Sequence, residues 1–357
     1  MFLPHVRPFA LDPAEKARYL DTQLSALLEH HVARCAPFAR LVDDWRRRHP
    51  AAASPAGYPF LPVTVFKEYD LRSSDAPGLS VQSSATTSGT SARIFVDRAT
   101  RTRQTQSASR VMADFIGGDR RPYLVFDTES SARGADSMGA RGAAILSLAP
   151  FASEFHFVMA DRGGDLSLDL DVFTRAVEKI GGHPFIAYGF TWMLYQAHQQ
   201  LAEAGWTGNA HAGTVLLHSG GWKKLTAMAV DKPTFNERIA GIWSLPSSRV
   251  IDFYGAVEQV GVPYPDCEAG VKHVPYWADV LTRRSDTLEP AAPGEPGLLQ
   301  LINCLPLSAP NHSVLTEDLG ELAYLDGCPC GRRGRAFVFR GRAPRAELRG
   351  CSDVPRG

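Results

Sequence analysis

Three short segments of this chain carry residues whose types and spacing suit work on a phosphorylated ligand. In "SSATTSGTSARIFVDRAT", Thr86, Thr87, Ser88, Gly89, Thr90 and Ser91 crowd hydroxyls around one glycine. Glycine permits a tight backbone turn, and the exposed N–H groups and hydroxyls of such a loop form a nest for a phosphate chain. No Walker lysine follows it, so the same residues also fit a plain Ser/Thr-rich surface loop. In "VIDFYGAVEQVG", Tyr254, Gly255 and Glu258 come directly after an apolar strand. At a strand end a ring can cover a base, and a carboxylate can reach Mg2+. In "SVLTEDLGELAYLDG", Asp318 reads as a turn residue between two strands, where a carboxylate accepts hydrogen bonds from a ribose.

A fourth constellation has metal-ligand spacing. Cys267 and His273 are six positions apart in "DCEAGVKH", and Cys328 and Cys330 are two apart in "GCPCG". Three thiolates and one imidazole complete a tetrahedral set and leave no open position to activate water, so the metal expected is a structural Zn2+. It would tie the loop after Glu258 to the region after Asp318. The competing reading is a group of unrelated reduced cysteines and a surface histidine. Cys35 and Cys304 read as core thiols.

The elements that must position these residues follow from apolar periodicity. Leu20, Leu24, Leu27, Leu28 and Val32 recur at helical spacing, giving one long N-terminal amphipathic helix within a helical segment 12–48. Its basic "WRRRH" end reads as a solvated face. Farther on, "YLVFDT", "AAILSLAP", "FHFVMA", "PFIAYGF", "TVLLHSG", "RVIDFYG" and "GLLQLINC" read as strands. Helical patterns at 168–180 and 191–204 lie between several of them. This alternation predicts an α/β fold with partly parallel sheets.

With 357 residues the chain can bury a large core, and Lys plus Arg equals Asp plus Glu at 38 each, with no basic stripe. That excludes a nucleic-acid footprint. "MFLPHVRPFALDP" lacks an apolar h-region, no transmembrane run occurs, and six unevenly spaced cysteines fit a reducing compartment. The expectation is a soluble cytoplasmic protein. No G-x-S-x-G elbow occurs, so a serine hydrolase finds no support.

In this order, the three phosphate-suited segments resemble the adenylate-forming enzymes, the superfamily of acyl-CoA synthetases. "LPVTVFKEYDL", "HSGGWKK", "FYGAVEQVG", "LTEDLGEL", "CPCGRRGRAF" and "GRAPRAELRGCSD" narrow the resemblance to LuxE-type acyl-protein synthetases and their phenylacetate-CoA ligase relatives. The resemblance runs from about residue 58 to the end of the sequence. It implies the superfamily's large N-terminal domain, with layered α/β sheets and a small β-rich part, the mobile C-terminal domain being missing or vestigial. The core would span 1–335, with a tail at 336–357.

The resemblance also implies roles. Thr87, Ser88, Gly89 and Thr90 would hold ATP phosphates, Tyr254 would stack on adenine, Glu258 would bind Mg2+ and Asp318 would hold the ribose, with Arg342 nearby. Lys67 in "VFKEYD" corresponds to a lysine that contacts phosphates, and its alternative is a surface lysine. Without the usual C-terminal lysine, positive charge for the departing pyrophosphate would come from Lys67, Lys223, an arginine or Mg2+. Tyr188, Phe190, Phe253, His218, Gly220 and Gly221 would shape a carboxylic acid pocket. His218 either orients the carboxylate or caps a strand end. Lys223 and Lys224 are either functional or solvated, and Arg141 is a further phosphate candidate.

Adenylation makes a carboxylic acid a good acyl donor, and a thiol can then take the acyl group. In LuxE-type proteins a cysteine near the C-terminus is the acceptor, and "ELRGCSD" puts Cys351 there, with Arg345 and Arg349 favouring its thiolate. The partner would be an acyl-accepting protein such as a reductase or carrier protein. Alternatives are direct transfer to CoA or a carrier-protein thiol, and a non-catalytic scaffold. A homo-oligomer is compatible with all three.

Overall fold

The computed structural model describes residues 1–49, 57–82, 92–132, 140–163, 165–222 and 227–343. Five apolar runs form one parallel sheet. From one edge its strands are Ala152–Phe157, Arg121–Val125, Ile186–Phe190, Val215–Ser219 and Val250–Tyr254, closed by a short antiparallel strand, Tyr264–Pro265. Numbered along the chain, the five parallel strands lie in the order 2-1-3-4-5. The winding reverses between Arg121–Val125 and Ile186–Phe190, and a crevice opens outside strand carboxyl ends at such a reversal.

The inner strands Ile186–Phe190 and Val215–Ser219 are almost wholly buried because both faces are covered, whereas the edge strand Ala152–Phe157 is partly exposed. Helices Leu170–Ile180, Thr191–Glu203 and Lys232–Ile242 press Phe173, Leu194, Phe235 and Ile239 against Leu124, Ala187, Leu216 and Val250. On the other face, Arg98–Ile116 and Ala140–Ser147 bring Met112, Ile116 and Ile145 onto Tyr123, Val125, Leu217 and Phe253. Burying each large apolar side chain contributes about 1.5–3 kcal/mol.

A second, antiparallel sheet runs Lys272–His273, Ala336–Arg342, Ser313–Tyr324, Gly297–Asn303, Ala278–Arg283. Leu61–Pro62 adds in parallel to Ser313–Tyr324. Leu20, Leu24, Leu28, Phe38 and Val42 of the N-terminal helices cover this sheet at Leu281, Ile302 and Val314. The described part of 336–357 is thus a strand paired inside the sheet.

Three expectations about local structure are corrected. The single N-terminal helix is two, Pro13–Arg34 and Ala36–Arg48, with Cys35 extended between them. Pro37 has no N–H to continue the first helix and instead occupies the first turn of the second. "AAILSLAP" is not a strand but the end of helix Ala140–Ser147 and a following 3-10 turn. Counting Gly142 just before it, the buried residues Gly142, Ile145 and Leu148 recur every third position, which is a helical face. Asp318 is not in a turn but inside the twelve-residue strand Ser313–Tyr324. The turn-like "EDLG" marks register shifts on both neighbouring strands, a bulge rather than a chain reversal.

Candidate active site

Tyr254 ends the last parallel strand, and its phenol donates to Asp318 Oδ2 at 2.7 Å. This bond joins the two sheets at the proposed nucleotide position. Asp318 faces Arg342 across the strand pair, with Arg342 Nε 3.8 Å from Asp318 Oδ1. Phe339, on the same strand as Arg342, lies nearly parallel to the Tyr254 ring at 4.7 Å. Glu258 follows in the 3-10 turn Val257–Gln259 and is only 6% exposed.

These groups feel one another. Burial raises the Glu258 carboxyl above its ordinary range, and the Asp318 charge raises it further, while Lys67 and Arg342 act in the opposite direction. Burial also raises Asp318, against the Tyr254 hydrogen bond and Arg342, which hold it down. Burial, then Asp318, pushes the Tyr254 phenol well up. Burial and the nearby Asp318 charge both disfavour the Glu258 carboxylate, and an added divalent cation would offset both effects, so the donor set fits Mg2+.

Lys67 reaches this region because Leu61–Pro62 docks on Ser313–Tyr324 and Val63 N–H donates to Leu315 O at 2.9 Å. The following short helix, Val65–Glu68, sets Lys67 Nζ 3.6 Å from Glu317. Lys67, Tyr254, Glu258, Asp318 and Arg342, dispersed in sequence, thus share one electrostatic neighbourhood. Gly255 follows Tyr254 with open space where a Cβ would stand.

The expected acid-pocket residues separate into two groups. Tyr188 and Phe253 stack at 5.8 Å on the face covered by Arg98–Ile116, and the Tyr188 hydroxyl lies 2.8 Å from Ser219 Oγ. Phe190 meets Tyr188 edge-on at 6.1 Å. His218 is on the opposite face, 4.5 Å from the Phe235 ring, because strand side chains alternate. Its Nδ1 lies 3.0 Å from the Thr191 hydroxyl and 3.7 Å from Asp252. Thr191 donates to the carbonyls of Ser219 and Gly220, so the imidazole Nδ1–H donates to Thr191. Burial holds His218 neutral, with its pKa lowered to about 4. Gly220 has φ +76°, and a Cβ there would meet the Phe190 ring at 2.8 Å, whereas Gly221 is in open space. Arg141 Nε donates to Asp127 Oδ2 at 2.9 Å, so its guanidinium is already engaged.

The metal-ligand residues converge. The ligand atoms of Cys267, His273, Cys328 and Cys330 all lie within 4.8 Å of one another. Cys267 Sγ and Cys328 Sγ are 3.8 Å apart, the edge of a tetrahedron with metal–sulfur bonds of about 2.3 Å. Cys330 Sγ is 3.2 Å from His273 Nε2. The three thiols and the imidazole therefore fit Zn2+ in number, type and spacing.

Several functional candidates were missed by the sequence reasoning. Lys272, beside His273, is buried and pairs with Asp252 at 2.8 Å and Asp266 at 3.3 Å. Phe339 was legible as an aromatic two positions from Phe337 on a strand. Thr86, Thr87, Ser88, Gly89, Thr90, Ser91, Lys223, Lys224, Arg345, Arg349 and Cys351 lie outside the described residues.

The layered fold is that of the adenylate-forming ligases. A 2-hydroxyisobutyryl-CoA ligase in an open conformation superposes with TM-score 0.66 over 96% of this chain and 74% of that one, at 15% identity. The same ligase in the postadenylation state gives 0.67 over 96% and 72%, at 14% identity. A long-chain-fatty-acid-CoA ligase from Archaeoglobus fulgidus gives 0.51 over 74% and 51%, at 12% identity.

Within that class the match is specific. The family model described as acyl-protein synthetase, LuxE, covers residues 2–356, and the chain belongs to this family. A long-chain-fatty-acid–luciferin-component ligase of Vibrio harveyi is 24% identical over 174 residues, 49% of this chain and 45% of that protein. The ligase of the same description from Aliivibrio fischeri is 29% identical over 106 residues, 29% of this chain and 28% of its own length. These alignments span less than half of either relative. No helix among the described residues is long and apolar enough to cross a membrane.

Proposed function

We propose that this chain activates a carboxylic acid with ATP and passes the acyl group to a thiol, with Cys351 the first acceptor and a partner protein the next. The observation that carries this reading is the Tyr254–Asp318 hydrogen bond beside buried Glu258, at the carboxyl end of the parallel sheet. In this reading the hydroxyls and N–H groups of Thr86, Thr87, Ser88, Gly89 and Thr90 cradle the phosphates. Tyr254 and Phe339 cover the base, and Asp318 accepts from the ribose. Glu258 holds Mg2+, which neutralises phosphate charge. Lys67 and Arg342 supply the fixed positive charge facing the pyrophosphate.

The acid lies along Tyr188, Phe190 and Phe253. Its carboxylate oxygen attacks the α-phosphorus, the bond to the bridging oxygen breaks, and pyrophosphate leaves. The Cys351 thiolate then attacks the acyl carbon, forming a thioester and releasing AMP. His218 faces the other side of the sheet, so its role is to order the strand end through Thr191 and Asp252 rather than to touch the acid. Gly220 and Gly221 let the chain turn there. Cys267, His273, Cys328 and Cys330 hold a structural Zn2+ that ties the strand after Glu258 to the turn after Asp318. The names of the curated relatives make long-chain fatty acids the first substrates to try.

The test is acid-dependent exchange of labelled pyrophosphate into ATP over a panel of fatty and aryl acids. Stimulation by one class is the expected result, and no stimulation by any acid overturns the reading.

A further inference from the structure

The turn that carries Glu258 is only three residues long, Val257–Gln259, and so makes little of its own hydrogen bonding. It is held from outside. Asn311 Nδ2 donates to the Glu258 carbonyl at 2.7 Å, and Gln259 Nε2 donates to the Asn311 carbonyl at 2.6 Å. Gln259 Oε1 accepts from Asn303 Nδ2, and Asn303 Oδ1 accepts from Leu305 N–H at 2.8 Å. Gln259, Asn303 and Asn311 are 1%, 1% and 3% exposed, so water cannot replace these bonds cheaply. Gly261, with φ +94°, then lets the chain pass so close to Gln104 that a Cβ would stand 2.6 Å from its Cα.

Asn311 belongs to the buried loop 304–312, which leads directly into the strand bearing Asp318. The same loop is tied to the segment that follows the hydroxyl-rich stretch. Ser308 Oγ donates to Phe95 O at 2.8 Å, and the N–H groups of Leu307 and Ser308 both donate to Thr100 Oγ1 at 3.1 Å. One loop therefore connects the chain around all three phosphate-suited motifs. Among the described residues, the loop's hydrogen bond to the Glu258 main chain comes from Asn311.

We propose that Asn311 and Gln259 are positioning residues that set where the Glu258 carboxylate stands relative to Asp318, and thereby tune the site for nucleotide that carries a divalent cation. This rests on the nucleotide-site reading above. Because the pair acts through the Glu258 main chain, losing it affects what the carboxylate holds, not the contacts to base and ribose.

The test measures ATP affinity of the full chain by calorimetry, once with Mg2+ and once with EDTA, together with pyrophosphate exchange. Asn311→Ala and Gln259→Met are expected to weaken binding in Mg2+ by about ten- to hundredfold, the usual effect of removing a support behind a metal ligand, and to leave binding in EDTA unchanged. Ser308→Ala, which loosens the same loop away from Glu258, is expected to change neither. In a Glu258→Gln background, Asn311→Ala should add no further loss. Equal weakening with and without Mg2+, or additive losses with Glu258→Gln, would overturn the inference. If Asn311→Ala fails to fold, Gln259→Met and Asn311→Ser decide the matter by the same comparison. A wild type that neither binds ATP nor exchanges pyrophosphate overturns the parent reading and this inference with it, and is recognised before any variant is made.

Discussion

Lys272 Nζ lies 2.8 Å from Asp252 Oδ2, a buried ion pair between the strand that carries metal-ligand candidate His273 and the strand that ends in Tyr254. Burial alone lowers the Lys272 pKa, but Asp252 and Asp266 outweigh it and raise the group, so the ammonium stays charged inside the protein. The pair joins the segment that bears the cysteine cluster to the strand that ends in Tyr254. Replacing Lys272 by Met leaves the buried Asp266 with Lys232 as its lysine partner and the half-buried Asp252 with none among the described residues. Breaking a buried pair from one side costs about 3–5 kcal/mol. Denaturant unfolding of Lys272→Met should show a loss of that size, and a loss below about 1 kcal/mol would mean the pair is solvated like a surface bridge.

Metal removal should act along the same connection. The purified chain is expected to carry about one zinc, measured by elemental analysis, because the Cys267, His273, Cys328 and Cys330 set is complete. Chelation, or Cys328→Ser, should release it and lower the melting temperature, since binding energy of a structural site is folding energy. Stoichiometric zinc in Cys328→Ser, or an unchanged melting temperature after complete zinc loss, would contradict a four-ligand structural site.

Removing the Tyr254 hydroxyl tests the bond between the sheets. That hydrogen bond lowers the Asp318 pKa against the raising effect of burial. Tyr254→Phe should therefore let the Asp318 pKa climb further. A carboxylate accepts from ribose more strongly than the protonated acid, so in this reading ATP binding should weaken as pH falls through the folded pKa of Asp318. The acid limb of ATP affinity against pH should lie at higher pH in Tyr254→Phe than in the wild type. A superimposable acid limb would show that Asp318 does not govern binding.

Parts of this candidate site were legible where its residues are local in sequence. Tyr254 and Glu258 sit four positions apart after one strand, and the four metal-ligand candidates fall in two short segments. What the sequence hid was decided by the fold. His218 and Tyr188 look like neighbours of one pocket, yet strand alternation puts them on opposite faces, each covered by its own helices. Asp318 looked like a turn residue because Gly320 and its neighbours have turn composition, whereas the strand absorbs them as a bulge. Gln259 and Asn311 are separated by 52 positions, and no periodicity marks two amides that will meet.

The acceptor thiol can be separated from the adenylation chemistry. Attack of the acid on ATP involves no sulfur, so Cys351→Ser should retain acid-dependent pyrophosphate exchange at the wild-type rate. The second step has a different requirement, because a hydroxyl, unlike a thiol, is scarcely ionised near neutral pH and forms an ester far more slowly than the thiol forms a thioester. Intact-mass measurement of wild type with ATP and a competent acid should show one added acyl group that hydroxylamine removes, and Cys351→Ser should show none. A variant that still gains a hydroxylamine-labile acyl group would place the acceptor on another cysteine. A wild type that exchanges pyrophosphate but never gains acyl mass, and makes acyl-CoA when CoA is added, would move the first acceptor from the chain to a small thiol and leave the adenylation reading intact.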